Sequence, residues 1–147
     1  MVNSYFAFNF LDSTSKLNIR NYTFRVASAY NSADGFGTYA SIFSVNDIVF
    51  HNKDVLFSDL CLIRLLNTHG GVRTIAGGSP GYSDGYGTFA SFRLITSLAV
   101  DTDSYNISIL YLSDVHNNCI RSYNFSSTYV EVIAGICIDI GAVGVSD

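Results

Sequence analysis

One octet of this chain occurs twice. Asp34-Gly35-Phe36-Gly37-Thr38-Tyr39-Ala40-Ser41 returns 50 residues later as Asp84-Gly85-Tyr86-Gly87-Thr88-Phe89-Ala90-Ser91, with six positions identical and two exchanging Phe for Tyr. The register runs without a gap from residues 34–51 against 84–101. Self-similarity at this period specifies one supersecondary unit repeated in a stacked or radial array, because one such unit cannot bury its apolar face alone. Any motif inside the octet therefore has to be read twice.

No stretch keeps apolar residues at the spacing of a helix face. Short runs of β-branched and aromatic residues, bounded by Gly, Asn, Asp and Ser, recur instead. Tyr22-Thr23-Phe24-Arg25-Val26 and Tyr129-Val130-Glu131-Val132 alternate with the period of a half-buried strand, and Ile107 to Leu112 is apolar on both faces. The reading is all-β. Strands are expected over 98–101, 107–113, 119–124 and 129–134, and over 47–51, 55–58, 61–66 and 72–76 in the preceding unit. Residues 4–10, 17–21 and 22–28 read as three strands of an earlier unit. Four short antiparallel strands per repeat make the blade of a β-propeller. The chain then divides into a partial blade (1–28), two blades (29–77 and 78–135) and the opening of a further inter-blade loop (136–147).

These residues resemble the NHL-repeat family. Its pattern is matched by Ile75-Ala76-Gly77, Asp84-Gly85-Tyr86-Gly87, Ala90-Ser91-Phe92, Leu98-Ala99-Val100-Asp101, Leu110-Tyr111-Leu112-Ser113-Asp114 and Asn117-Asn118-Cys119-Ile120-Arg121. The first unit follows it more loosely through Ile48-Val49-Phe50, Leu56-Phe57-Ser58-Asp59 and Leu62-Ile63-Arg64. Ile95, Ser97 and Cys119 depart from the family's Pro, Gly and His. The resemblance implies NHL-type β-propeller blades in an incomplete, open propeller, and a non-catalytic scaffold for protein–protein interaction. Its partners would be another protein, further blades of the same protein, or a second copy through open flanks. The alternative it leaves is part of a propeller hydrolase or lyase with a metal at the central channel.

Composition narrows the partners further. At 147 residues the length suits one domain, and 48% hydrophobic content with 14% charge excludes a disordered chain. A formal charge of −4 with no Lys/Arg block gives nucleic acid no basic footprint. Residues 132–145 are apolar but short and contain Asp139, so no membrane span is expected; nor does the N-terminus carry the basic region of a signal peptide. Cys61, Cys119 and Cys137 form no CxxC pair and are read as small buried hydrophobes, ahead of zinc ligands or a disulfide framework. The histidines, His51, His69 and His116, keep no metal-ligand spacing.

Both octets contain G-x-G-x-x-A, a dinucleotide fingerprint only where a strand leads into a helix. No helical pattern follows either copy, so no cofactor is expected. The expected role of Asp34, Gly35, Gly37, Asp84, Gly85 and Gly87 is structural: glycine supplies positive φ in an inter-blade turn, and the aspartate caps that turn. Asp59 and Asp114, with Arg64 and Arg121 shortly after, are expected to hold the turn between second and third strands. No catalytic or metal-binding residue is assigned. Phe36/Tyr86 and Tyr39/Phe89 keep repeat register and are expected to wedge between blades. Tyr30 and Tyr82 fall outside it and are the candidate partner-contact residues.

Overall fold

A computed structural model describes residues 5–11, 17–23, 25–26, 32–102 and 108–137. The chain is all-β. Strands β1 (Tyr5–Leu11) and β2 (Leu17–Thr23) form an antiparallel hairpin, and β3 (Arg25–Val26) pairs parallel with β5 (Ser41–Ile42). Of the stretch expected as strands 17–21 and 22–28, Leu17–Thr23 is one strand and Arg25–Val26 a short second one, residues 24, 27 and 28 lying outside the described residues. Tyr30 and residues 103–107 and 138–147 lie outside the described residues.

Two five-stranded antiparallel sheets follow. Sheet I has the order β4 (Gly35–Phe36), β9 (Gly71–Ala76), β8 (Leu62–Leu66), β7 (Asp54–Asp59), β6 (Val45–His51). Sheet II repeats it as β10 (Gly85–Tyr86), β14 (Tyr129–Gly135), β13 (Cys119–Asn124), β12 (Ser108–Asp114), β11 (Ile95–Thr102). The four consecutive strands appear in the expected order. The fifth was not foreseen: Gly35-Phe36 and Gly85-Tyr86 pair with the outermost strand of their own sheets. Even the irregularities repeat. A bulge sits opposite Ile63/Arg64 in sheet I and opposite Ile120/Arg121 in sheet II, turning the extra residue, Ile75 or Ile133, out of ladder register.

Each octet is a strap laid across its sheet. After β4 or β10 comes one turn of 3₁₀ helix, η1 (Gly37–Tyr39) or η2 (Gly87–Phe89), closed by Ala40 N–H or Ala90 N–H donating to Gly37 O or Gly87 O at 3.2 Å. The two glycines have different jobs. Gly37 and Gly87 adopt φ of 53° and 50°, where a Cβ is strained. Gly35 lies against the turn, with a Cβ there standing 2.9 Å from Ala40 N.

The sheets pack face to face through one apolar cluster. Leu56, Ile63, Leu65 and Ile75 of sheet I meet Leu98, Leu110, Leu112, Tyr123 and Val130 of sheet II, with Ala90 and Phe92 of the second strap among them. The first strands, β6 and β11, lie side by side. They are tied by Leu98 N–H donating to Asp47 Oδ2 at 2.7 Å and Asn46 Nδ2 donating to Ile95 O at 2.8 Å. On the far face of sheet I, Val55, Phe57, Leu66 and Val72 are buried with Ala40 and Ile42. Among the described residues the strands form open sheets and do not close into a ring.

Gly77 marks the exit from sheet I. Its N–H donates to Gly87 O at 3.2 Å, its φ is 89°, and a Cβ there would overlap Cys61 O. Gly77→Ala should cost about 1–3 kcal/mol from the left-handed backbone alone, read as a lowered urea midpoint. Gly78→Ala, whose Cβ would meet Thr88 O at 3.0 Å without a left-handed φ, should cost less.

Candidate functional site

The residues singled out from the repeat converge on one buried ionic network per sheet. In sheet I, the fully buried Arg64 lies between two carboxylates: Nη1 donates to Asp59 Oδ2 at 3.0 Å and Nη2 to Asp34 Oδ1 at 3.1 Å. It also donates to Ala33 O at 2.9 Å. Asp59, likewise fully buried, accepts from Phe43 N–H and Ser44 N–H at 2.9 and 2.8 Å and from Ser32 Oγ–H at 2.6 Å. Asp34 further accepts from Thr74 N–H at 2.8 Å and from the Thr74 hydroxyl at 3.0 Å.

Sheet II repeats the arrangement. Arg121 Nη2 donates to Asp84 Oδ1 at 2.6 Å and Ser83 O at 2.9 Å, and Nη1 donates to Ser91 O at 2.8 Å, with Asp114 Oδ2 at 3.6 Å. Asp114 accepts from Arg93 N–H, Leu94 N–H and Asn117 Nδ2–H at 3.0, 3.2 and 2.7 Å.

Two expectations need correction. Asp34 and Asp84 do not cap their own turn; they reach across to the outer strand and to the buried arginine. Asp59 and Asp114 hold the segment leading into the first strand, not only the turn that follows them. In both cases the bulge beside the arginine and the strap lying over the sheet bring sequence-distant groups together. The network ties the strap to its sheet in each repeat. Asp59, Arg64, Asp114 and Arg121 have no access to solvent, and their charges are consumed by partners, so they offer no acid, base or anion site.

The cysteines also depart from expectation. Cys119 and Cys137 form a disulfide with Cα atoms 5.2 Å apart, rather than two buried thiols. Cys119 faces Gly135 across the β13–β14 ladder, which returns Cys137 to it two residues later. Cys61, at the matching turn of sheet I, remains a buried thiol and donates to Gly78 O at 3.4 Å. Burial pushes its pKa up, which makes it a poor nucleophile. Among the described residues no group of three or more His, Cys, Asp or Glu could hold a metal. Both G-x-G-x-x-A copies run through a strand and a single 3₁₀ turn, leaving no helix N-terminus for a pyrophosphate. No helix among the described residues is long and apolar enough to cross a membrane.

What the repeats present to solvent is aromatic. Phe36, Tyr39, Tyr86 and Phe89 are 62%, 87%, 60% and 86% exposed, so they do not wedge between sheets. Phe36 lies over Gly71, where a Cβ would stand 3.1 Å from its ring, and Tyr86 sits edge-on to Tyr129 at 4.8 Å. Tyr39 and Phe89 project from the 3₁₀ turns. Tyr82 is about half exposed, and Tyr30 lies outside the described residues.

One titratable group bridges the sheets. The ring of His51, on β6, stacks on Phe125 of sheet II with centroids 4.0 Å apart and planes 15° from parallel. Desolvation lowers its pKa below the ordinary value, partly opposed by Asp54. The unfolded chain therefore takes the proton first, so stability present above about pH 6.5 is lost as pH falls toward the folded-state pKa. The urea midpoint should drop more between pH 7 and pH 5 in the native chain than in His51→Phe, which keeps the stack but does not titrate. Equal drops would remove His51 from the interface.

Sequence reasoning missed Ser32, Thr74 and Asn117, which complete the networks, and Asp47, which joins the sheets. No family model matches the chain, and no curated protein matches it significantly.

Proposed function

We propose that the chain is a segment of NHL-type β-propeller that acts as a non-catalytic scaffold for protein–protein interaction. The observation that carries this reading is the division of labour within each repeat. The ionisable groups that recur are consumed internally, whereas the aromatic side chains that recur, Phe36/Tyr86 and Tyr39/Phe89, stand in solvent. Exposed Tyr and Phe around a rigid sheet are what a protein partner buries. Tyr82, beside the second strap, belongs to the same rim.

The test is photo-crosslinking from p-benzoylphenylalanine placed at Tyr82 of the full chain in its native extract. A discrete adduct lost in Tyr39→Ser/Phe89→Ser, with circular dichroism unchanged, is the expected result. Absence of any aromatic-dependent adduct, or a stoichiometric tightly bound Ca²⁺ or Zn²⁺ in the purified protein, would sink the scaffold reading; the metal would favour the hydrolase or lyase alternative.

A further inference from the structure

The hairpin between β13 and β14 turns over residues 125–128 and repeats a turn of sheet I. Asn67 and Asn124, each three residues after its buried arginine, fold back on the loop that follows. Asn67 Oδ1 accepts from His69 N–H and Gly71 N–H, both at 2.9 Å. Asn124 Oδ1 accepts from Ser126 N–H at 2.8 Å and Ser127 N–H at 3.1 Å, and Thr128 N–H donates to Asn124 O at 2.7 Å. The turn accounts for an asparagine at this position in both repeats. It does not account for Ser126. Asn124-Phe125-Ser126 carries a hydroxyl two residues after the asparagine, where the first repeat has His69. Only the backbone N–H of Ser126 serves the turn. Among the described residues neither Asn124 Nδ2 nor Ser126 Oγ has a hydrogen-bond partner, and Ser126 is exposed.

The disulfide closes around the same hairpin. Cys119 and Cys137, 18 residues apart, stand on either side of Asn124 in the sequence. Paired cysteines persist in oxidising compartments, whereas glutathione and thioredoxin keep cytosolic thiols reduced. The N-terminus lacks the basic region of a signal peptide, but the disulfide reports on the surroundings of the folded chain and outweighs it. Secreted chains are also those in which an exposed N-x-S/T triplet is a substrate for glycosylation.

We propose that Asn124 is an N-glycosylation site, modified by an oligosaccharide delivered on a lipid diphosphate. Nδ2 bonds to the anomeric carbon of the sugar as that carbon's bond to the diphosphate oxygen breaks. The lipid diphosphate leaves with the bonding pair, and Nδ2 gives up one proton. The Ser126 hydroxyl is the group that the transfer requires beside the amide, whose nitrogen lone pair is otherwise delocalised into its carbonyl. Two other N-x-S/T triplets lack this support: Asn21 lies within β2, opposite Ala7, and Asn106 lies outside the described residues. The inference is independent of the scaffold reading.

Mass spectrometry of the full chain from its native cells, before and after peptide-N-glycosidase, tests it. The expected result is an intact glycopeptide at Asn124 whose asparagine becomes aspartate only on enzyme treatment. Ser126→Ala separates the acceptor from the turn, because it keeps both backbone N–H donors to Oδ1. It should abolish the glycan at Asn124 and leave the urea midpoint of the deglycosylated chain unchanged. Ser126→Thr should keep the glycan. Asn124→Gln should lose the glycan and lower the midpoint as well, since the turn goes with it. Asn124 recovered only unmodified, whether Cys119 and Cys137 are paired or free, would overturn the proposal. A glycan at Asn124 that survives Ser126→Ala would overturn it equally.

Discussion

Arg64→Met should lower the stability of the chain by about 3–5 kcal/mol, the range for breaking a buried ion pair from one side. The substitution keeps most of the side-chain volume, so the loss comes from charge and hydrogen bonds rather than from a cavity. Asp59 would keep the Phe43, Ser44 and Ser32 donors but lose its cation in a place without solvent. Ala33 O and Asp34 would lose the guanidinium that holds the strap to the sheet. For a chain of this size that loss corresponds to a fall in Tm of very roughly 6–20 °C. Lys53→Met, on an exposed turn, should stay within about 0.5 kcal/mol. The decisive comparison is the double variant Arg64→Met/Asp59→Leu. Removing both charges leaves no buried ion unpaired, so the double variant should recover a substantial part of the loss. Urea unfolding reads all three, and a single-variant cost below about 1 kcal/mol would show that the network does not hold the strap.

Much of the architecture was legible because periodicity is a sequence-level quantity. Alternation of apolar and polar residues placed the four main strands of each repeat within a few residues, and the 50-residue offset fixed their order. The networks were half legible. Asp59/Arg64 and Asp114/Arg121 could be paired by spacing, but the third member of each depends on the strap crossing its sheet, and no local signal encodes that crossing. The same holds for β4 and β10, whose two residues are too short to show a period. The exposed aromatics were misread because repeat register says that two positions are equivalent, not which way they point. The disulfide was missed because Cys119 and Cys137 meet only once β13 and β14 are paired and bulged. Asp47 joins the sheets without a twin, since Ser97 stands in its register position, so the repeat itself gave no reason to single it out.

Phe92→Ala should cost about 3–5 kcal/mol, and the loss should reach both sheets. Phe92 has no exposed surface and belongs to the cluster that joins them. Its ring lies 5.0 Å below the Arg121 guanidinium and close enough to Gly77 that a Cβ there would stand 3.0 Å from Cδ2. Truncation therefore removes apolar contact from the exit of sheet I and the cation–π contact of sheet II together. Because one side chain serves both, amide exchange should accelerate in β8 and β13 alike, rather than only in the strap that carries it. Phe92→Leu, which keeps much of the volume, should lose less, about 1–2 kcal/mol. Ile42→Ala offers the contrast: Ile42 holds the same strap position in the first repeat but, in the buried core of the described residues, packs with the far face of sheet I. Its cost should fall on β7 to β9 and leave β12 to β14 protected. If Phe92→Ala loosened only β10 and β11, the two repeats would be separate folding units joined by a tether, and the shared cluster would not be what makes them one array.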